Sequence, residues 1–318
     1  MIQTARENII KDIIRGVAIT IVVFVVAVYM PFPGFLCSLF IPLPILYYRS
    51  KLGRKTGMII PVAAIFIMIV MTGRVNIQIF FFFELLLLGF ILGELIEMDV
   101  SIEKTFLYTC SVVMFAGVAS LIFYSNISNT NIVSLVSEYV AKNIDFTMAM
   151  YRDMDVPEES MQMLSGLLES IHYVLIRIIP AMVIASTLFV IWANLLLARP
   201  VLRRQNLFCS DFGHLNLWKA PDFFVWGVIG AGVMLLFPVN TFKLLGLNAL
   251  IIFMTVYFFA GIAVISFYFE KNRFPVIIRV FLYSIIALQQ LIQILVVGLG
   301  FFDIWLNFRK LEIKKSSS

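Results

Sequence analysis

The segment from residue 157 to residue 204 constrains the fold of this chain more than any other. Its first part, 157–164, is amphipathic, its long middle part, 171–198, is apolar, and it ends in the basic stretch 199–204. A helix needs about 20 residues, each rising about 1.5 Å, to cross the hydrocarbon core of a bilayer. One continuous helix can therefore carry a segment in water, a membrane crossing and a basic stop at the far face.

The composition shows that this apolar character extends over the whole chain. Hydrophobic residues make up 61% of the 318 residues and charged residues 14%, whereas soluble domains have roughly 45–50% and about 25%. We therefore predict a multi-pass protein of the bacterial cytoplasmic membrane, in contact with the lipid bilayer. The net charge is +5, but the Lys and Arg residues lie in short loops between apolar runs. This placement marks the cytoplasmic face and excludes nucleic acid as a partner.

Apolar runs predict an all-α fold, a polytopic transmembrane helix bundle with about 8–9 membrane helices. The boundaries are N-terminal membrane helices at 1–124, an extracytoplasmic helical insertion at 125–170, C-terminal membrane helices at 171–308 and a basic tail at 309–318. Two of the runs are short, and such half-helices are tolerated at membrane depth only when protein covers them or they line a cavity. The runs lie at 13–30, 34–48, 57–73, 77–96, 105–124, 171–198, 223–238, 244–268 and 276–302.

The distribution of Lys and Arg distinguishes two topologies, both with a cytoplasmic N-terminus. Nine crossings place 14 basic residues inside and eight outside, and four of those eight lie in the C-terminal tail. If the run 223–238 is re-entrant, the counts become 17 inside and five outside. Because cytoplasmic loops carry an excess of Lys and Arg, we prefer eight crossings with both termini cytoplasmic.

The insertion at 125–170 is the one long polar segment of the chain, and it is acidic. Ile132, Val136, Val140 and Ile144 recur every four residues, which predicts an amphipathic helix. Asp155 and Pro157 indicate the start of a second helix, with Glu158 and Glu159 in its first turn. These two helices lie flat on the membrane surface, or they form a lid over an outward-facing cavity.

No motif of a soluble enzyme occurs, so we predict that the protein is not an enzyme and has neither catalytic residues nor a cofactor. The chain contains no Walker A, HExxH or GxSxG sequence. Its three cysteines are scattered without CxxC spacing and read as small core residues. The two histidines, His172 and His214, are too far apart for a ligand pair on one helix. No metal site is expected.

Charged residues inside the apolar runs are functional candidates, because each costs about 2.5–3.5 kcal/mol on insertion. Glu84 follows four phenylalanines. It either faces the bundle as a partner or proton-relay group, or lies at an interfacial helix end. Arg177 precedes Pro180 and either snorkels to the outer surface, pairs with Glu84 or binds an anionic ligand. Arg279 and Asp303 lie near the two ends of the last run.

Buried amides and glycines complete the set of candidates. Gln289 and Gln293 share a face if the last run is one helix, so they predict hydrogen bonds to another helix or contact with a polar substrate. Asn194 and Asn248 allow the same two interpretations. Gly89-x-x-x-Gly93 and the glycines at 227, 230 and 232 predict close helix packing.

Several segments resemble the YybS-like family of uncharacterised bacterial membrane proteins. They are Trp218-Lys219-Ala220-Pro221, Asn248, Gly261-Ile262-Ala263, the ending 300–309 (GFFDIWLNFR), and Arg177-Ile178-Ile179-Pro180 followed by the basic stretch 199–204. The resemblance covers essentially the full length and implies no catalytic residues. More distantly, the proline-rich and basic segments at 31–57 are similar to the membrane substrate-binding (S) components of energy-coupling-factor transporters. The long insertion 125–170 and the extra C-terminal helices depart from that group.

Two functional hypotheses follow. The first is a transporter-like membrane protein that binds a small solute between helices, at discontinuous segments such as 31–48 and 223–238. The second is a non-transporting scaffold or assembly factor for a membrane complex, with the acidic insertion as its docking surface for other membrane subunits. A transporter requires a polar cavity near Glu84, Arg177 or the Gln289/Gln293 face, whereas a scaffold requires a filled core.

Overall fold

The structure is a computed structural model that describes residues 2–73, 77–153 and 158–309. Helices make up 86% of the residues that the structure describes, and these residues contain no strand, which confirms the all-α fold. Asp155 and Pro157, and residues 310–318 of the predicted tail, lie outside these ranges. The helices are α1 (Ile2–Tyr29), α2 (Pro31–Ser38), α3 (Pro42–Leu52), α4 (Arg54–Gly57), α5 (Ile59–Thr72), α6 (Ile77–Glu97), α7 (Ile102–Ser128), α8 (Ile132–Asp153), α9 (Glu158–Arg204), α10 (Phe224–Leu236), α11 (Asn240–Lys271), α12 (Val276–Leu288) and α13 (Gln290–Leu306).

The long helices follow the apolar runs. The run 77–96 becomes α6, and the run 244–268 lies inside α11. The segment after Pro157 forms one continuous helix, α9, of 47 residues. At about 1.5 Å per residue this helix is roughly 70 Å long, more than twice the thickness of a hydrocarbon core of about 30 Å. The predicted combination of a polar segment and a crossing in one helix is therefore present.

Local sequence signals set the helix ends. The hydroxyl of Ser101 caps α7 by accepting a hydrogen bond from the backbone N–H of Lys104. The same helix ends at Asn129, which adopts the left-handed conformation with φ of 50°. α5 ends at Gly73, also left-handed with φ of 68°. Asparagine and glycine are the residues that tolerate this conformation at a helix C-terminus.

Among the described residues, five helices are long and apolar enough to span a membrane: residues 54–72, α6, α7, α9 and α11. The number is six if α12 and α13, which meet at a bend of 104°, count as one span. The predicted count of eight or nine is therefore not confirmed. The run 34–48 is divided between α2 and α3, α10 has only 13 residues, and the uncharged part of α1 after Arg15 is shorter than about 20 residues.

The chain forms two compact units. Unit 1 comprises Met1–Ile176 and Ser186–Asp211, and unit 2 comprises Arg177–Ala185 and Phe212–Ser318. In unit 1, α6 packs against α3, α5 and α7, and α1 packs against α2, α3 and α5. The predicted glycine pair on α6 explains the close contact with α3. A Cβ on Gly89 would clash with the backbone of Pro42, and one on Gly93 would lie 2.7 Å from Cδ of Arg49.

In unit 2, α11 is the central helix and packs against α10 and α13. Gly261 faces the backbone of Val296, and Gly300 faces the backbone of Tyr257, so α11 and α13 approach closely at two points. A core of Ala220, Tyr257 and Ala260 lies beside these contacts. The prediction for run 223–238 is only partly right. Gly227 packs on the ring of Phe253, but nothing lies near Gly230 or Gly232.

Candidate functional site

Pro180 interrupts the hydrogen-bond ladder of α9, and Asn248 of α11 bonds to the helix at that point. Proline lacks an N–H and its ring clashes with the carbonyl one turn earlier, so a helix with an internal proline needs other partners. The side-chain amide of Asn248 donates to the carbonyl of Arg177 over 3.0 Å, and its oxygen accepts from the N–H of Ala181 over 3.2 Å. In a regular helix these two backbone groups would bond to each other. Asn248 thus joins α11 to the proline-containing turn of α9.

A cleft of about 410 Å³ lies at this junction, entirely within unit 2. Its polar lining consists of Arg177, Thr241 and Asn248, and its apolar lining consists of Pro180, Ala181, Ile184, Leu244, Leu245 and Ile252. Arg177 and Thr241 are exposed and Asn248 is half-buried, so the polar groups are accessible from the open side. Two of the candidates predicted from the sequence, Arg177 and Asn248, therefore meet in one cleft.

The electrostatics of the cleft favour an anion. Arg177 contributes a guanidinium, and Thr241 is the second residue of α11. The first turn of a helix has backbone N–H groups without intrahelical partners and carries the positive end of the helix dipole. The opposite wall is made of branched aliphatic side chains. The arrangement therefore suits a molecule with an acidic group and an apolar body.

Glu84 is not part of this cleft. It lies on α6 in unit 1, half-buried, and in the described part of the chain it has no hydrogen-bond or ion-pair partner. The alternative in which Arg177 pairs with Glu84 stays a prediction, since the two residues belong to different units. The carboxylate instead lies over Gly117 of α7, with its oxygens 3.2 and 3.3 Å from the position that a Cβ there would occupy.

Three further candidates bond to backbone groups at helix interruptions or helix ends. Asn194 is buried and donates to the carbonyl of Leu39, between α2 and α3, over 2.8 Å. Gln293 donates to the carbonyl of Ala287, at the break between α12 and α13, over 2.9 Å. Arg279 donates to the carbonyls of Phe274 and Phe269 at the end of α11. Each bond gives a side-chain donor to a carbonyl at or near a helix end.

The predicted shared face of Gln289 and Gln293 does not exist. Gln289 has extended backbone angles and lies between the two helices, so it belongs to neither. The segment 276–302 contains no proline after Pro275, and no glycine before Gly298, although Gln289 and Gln290 lie at the break itself. The break is therefore a tertiary feature without a local sequence signal.

Asp303 belongs to a group that we term the C-terminal clasp: Asp303, Asn307 and Arg309, which hold the loop 216–219. The Arg309 guanidinium donates to Asp303 over 2.6 Å and to the carbonyls of Asn216 and Trp218 over 2.7 and 2.9 Å. Lys219 donates to the side-chain oxygen of Asn307 over 2.9 Å. The two sequence segments most specific to the family resemblance thus bind each other, which gives the motif a structural role.

A second charged group was not predicted from the sequence, because charged residues in loops and at helix ends are ordinarily exposed. In this group, the Arg49 cluster, the buried guanidinium of Arg49 contacts Glu97 and lies 2.8 Å from Glu94. Arg54 lies 3.7 Å from Glu94 on the exposed side. A Cβ on Gly57 would lie 2.8 Å from Cα of Arg49, so glycine there is needed for the chain to pass. The glycines flanking this basic stretch were the available sequence signal.

The long apolar helices and their exposed apolar side chains are those of an integral, multi-pass membrane protein. A scan against protein families matches residues 18–304 to the family described as "Predicted membrane protein (DUF2232)". The chain belongs to this family, and the YybS-like resemblance is thereby confirmed. The similarity to energy-coupling-factor S components stays a prediction. No curated protein and no solved structure matches the chain.

Proposed function

We propose that this protein is a non-enzymatic, transporter-like membrane protein that binds a small amphipathic anion in the cleft between α9 and α11. In this proposal it lies in the bacterial cytoplasmic membrane with its N-terminus in the cytoplasm, as the distribution of basic residues favours. The observation that carries the proposal is the convergence of Arg177, Thr241 and Asn248 beside an aliphatic wall.

The geometry supports an acidic group at Arg177 and an apolar body along Ile184, Leu244 and Ile252. A cleft of about 410 Å³ falls in the range of roughly 300–1,000 Å³ that is usual for small-molecule sites. The proline-containing turn of α9 lacks one backbone N–H donor, so a polar group of a ligand can bond to a backbone carbonyl there. Asn248 holds this turn against α11, so the cleft is preformed rather than assembled by the ligand.

The test is ligand-induced thermal stabilisation of the purified protein in detergent. The probes are three compounds with the same medium-length alkyl chain, ending in a carboxylate, a phosphate or an uncharged alcohol. A ligand at about 100 times its dissociation constant stabilises the folded state by roughly 2.7 kcal/mol. We expect the two anions to raise the unfolding temperature and the alcohol to have little effect.

Variants connect the response to the cleft. Arg177→Gln is expected to remove the difference between acid and alcohol, and Arg177→Lys to retain part of it. Lys243→Gln is the matched control, because Lys243 is an exposed cation on α11 that does not line the cleft. The proposal fails if the alcohol stabilises as well as the acids, or if Arg177→Gln responds like the wild type.

A scaffold role is the second candidate, and the surface of α8 favours it. Only Val140 and Met148 of this helix are buried, whereas Val133, Tyr139 and Phe146 are exposed beside charged residues. Such a surface suits another membrane subunit or the lipid interface. Tyr139→Ser with Phe146→Ser should then release a stoichiometric partner that the wild type retains during purification. Retention of that partner by the double variant would count against the scaffold role.

A further inference from the structure

Glu84 has an environment unlike that of any other acidic residue on its helix. It is the eighth residue of α6, between Phe80–Phe83 and Leu85–Leu88, well inside the span. Its carboxylate lies flat against α7, where Gly117 leaves the space that a side chain would fill. By contrast, Glu94 and Glu97 at the end of the same helix contact Arg49. Glu84 is therefore an intramembrane carboxyl held by packing rather than by an opposite charge.

The elements that pack against α6 offer Glu84 no charged partner. On α7 the ionisable residues nearest to Gly117 are Cys110 and Tyr124, each seven residues, or about 10 Å, along the helix. α5 contains no ionisable residue. α3 contributes Arg49, which contacts the other two glutamates, and Lys51, which binds Asp12 of α1. Near Glu84, α1 contributes the ring of Phe24, stacked edge-on against Phe82.

A lone carboxylate in this position is suited to binding a proton rather than a metal ion. A carboxylate without a partner in a membrane span is costly, and taking up one proton removes the charge. A metal ion would need several oxygen or nitrogen ligands, and the described residues contain no group of three His, Cys, Asp or Glu side chains that could hold one. A proton needs only the carboxyl itself.

We propose that Glu84, seated on Gly117 at the α6–α7 contact, is a proton-binding site of this protein. One carboxylate oxygen takes up a proton to give the neutral carboxylic acid, and its release restores the anion. The charge within the span changes by one, and no other reactant is needed.

The α6–α7 contact continues along the two helices beyond Glu84. At its other end the two helices border a groove of about 360 Å³ that is lined by Glu94, Tyr108 and Ser111 among others. Glu84 and Glu94 are ten residues apart, about 15 Å along α6. Thr109, on the buried face of α7, has a hydroxyl without a hydrogen-bond partner. This site lies in unit 1 and is independent of the cleft around Arg177.

Labelling with dicyclohexylcarbodiimide tests the proposal directly. This apolar reagent adds to a protonated carboxylic acid within a membrane and leaves a stable acylurea on the carboxyl group. The experiment uses the wild-type protein in liposomes, from about pH 5 to about pH 9, with peptide mass spectrometry to locate the label. Labelling of Glu84 should fall about tenfold per pH unit above its titration midpoint, as the protonated fraction does.

Two other carboxyl groups and one variant serve as controls. Glu94, paired with Arg49, and Glu103, at the start of α7, should remain largely unlabelled in the same sample. Glu94→Gln should leave the labelling of Glu84 unchanged, and Glu84→Gln should abolish the pH-dependent label. The infrared carbonyl band of a carboxylic acid, present in the wild type and absent in Glu84→Gln, gives an independent measurement.

The outcome that overturns the proposal is equally specific. If Glu84 remains unlabelled throughout the pH range, or is labelled to the same extent at every pH, it does not bind and release a proton. Because the label is located on the wild-type chain, this result does not depend on how well any variant folds.

Discussion

Arg49 and Arg309, the arginines that are buried in the described part of the chain, lie in different surroundings. In the C-terminal clasp of unit 2, the side chains of Arg309 and Asp303 are 0% and 3% exposed, and the guanidinium also binds two backbone carbonyls. In the Arg49 cluster of unit 1, Arg49 is 3% exposed, but its partners Glu94 and Glu97 are 15% and 58% exposed. The first pair is enclosed, whereas the second extends from the core to an open groove.

This difference in solvent exposure distinguishes an ion pair with a purely structural role from one whose members remain accessible to solvent. An enclosed ion pair has exchanged water entirely for its partners, so removal of one member strands the other. An ion pair that reaches the surface retains solvent as a substitute partner, and its energetic contribution is smaller. The clasp therefore holds the loop 216–219 to the end of α13. The Arg49 cluster both anchors α3 on α6 and leaves Arg54 and Glu94 lining the groove.

Arg309→Met is expected to have the largest effect. It leaves the carboxylate of Asp303 buried without a cation and should lower the free energy of unfolding by about 3–5 kcal/mol. The measurement is equilibrium unfolding of the purified protein in mixed micelles. Lys55→Met, which removes an exposed cation, is the matched control. Adding Asp303→Asn to Arg309→Met should recover part of the loss. If Arg309→Met and Lys55→Met have equal effects, the pair is not the enclosed contact described above.

Arg49→Met should have a smaller effect of about 1.5–3 kcal/mol, the range for hydrogen bonds to charged groups. Arg54 remains 3.7 Å from Glu94, and Glu97 is largely in solvent, so neither carboxylate is left without stabilisation. Unfolding under the same conditions as for Arg309→Met gives the comparison. A loss as large as that of Arg309→Met would show that the cluster is as enclosed as the clasp.

The sequence predicts the elements that local pattern determines. The bounds of α6, the apolar part of α11, the continuity of α9 and the close packing at Gly89 and Gly93 follow from hydrophobic runs and small residues, which act at short range. The bend at Gln289 does not, because no proline or glycine lies beside it and glutamines are compatible with a continuous helix. The run 34–48 is recognisable as short, but its division into α2 and α3 and the bond from Asn194 to the carbonyl of Leu39 could not be inferred.

For the candidate site, the sequence identifies which residues are unusual but not what they bond to. Asn248 and Arg177 are 71 positions apart, and only the packing of α11 on the proline-containing turn brings them together. Arg49 was overlooked because a basic residue at a helix end is ordinarily solvated, and its burial depends on Gly57 and Gly93 from other elements. Polar residues in membrane spans are thus recognisable as candidates, while their roles depend on helix breaks that tertiary structure creates.

Asn248→Leu tests hydrogen bonds between uncharged groups, for comparison with these ion pairs. It removes the amide that bonds to the backbone of Arg177 and Ala181, but the carbonyl and the N–H of these residues are spaced i and i+4 and can bond to each other within α9. We expect a loss of about 0.6–1.7 kcal/mol, the range for interhelical hydrogen bonds in membranes. The same variant should weaken the response to anionic amphiphiles, because the cleft loses its shape. If the variant loses stability but its ligand response is unchanged, Asn248 does not maintain the shape of the cleft.

Asp12→Asn is expected to have the smallest effect and extends the comparison to an exposed ion pair. Lys51 is 37% exposed and lies 2.8 Å from Asp12. The hydrogen bond from its ammonium to Asp12 raises the pKa of Lys51. A raised pKa means that the folded state binds the proton more tightly, so the stabilisation is fully present below the ordinary lysine value. This stabilisation is lost as the pH rises through the pKa of Lys51 in the folded state.

Asp12→Asn should therefore cost roughly 0.2–1 kcal/mol near neutral pH. The difference in stability from wild type should shrink only above about pH 10.4. The free energy of unfolding of wild type and Asp12→Asn is measured near neutral pH and again above about pH 10.4. If the two proteins are equally stable near neutral pH, the ion pair contributes nothing to folding.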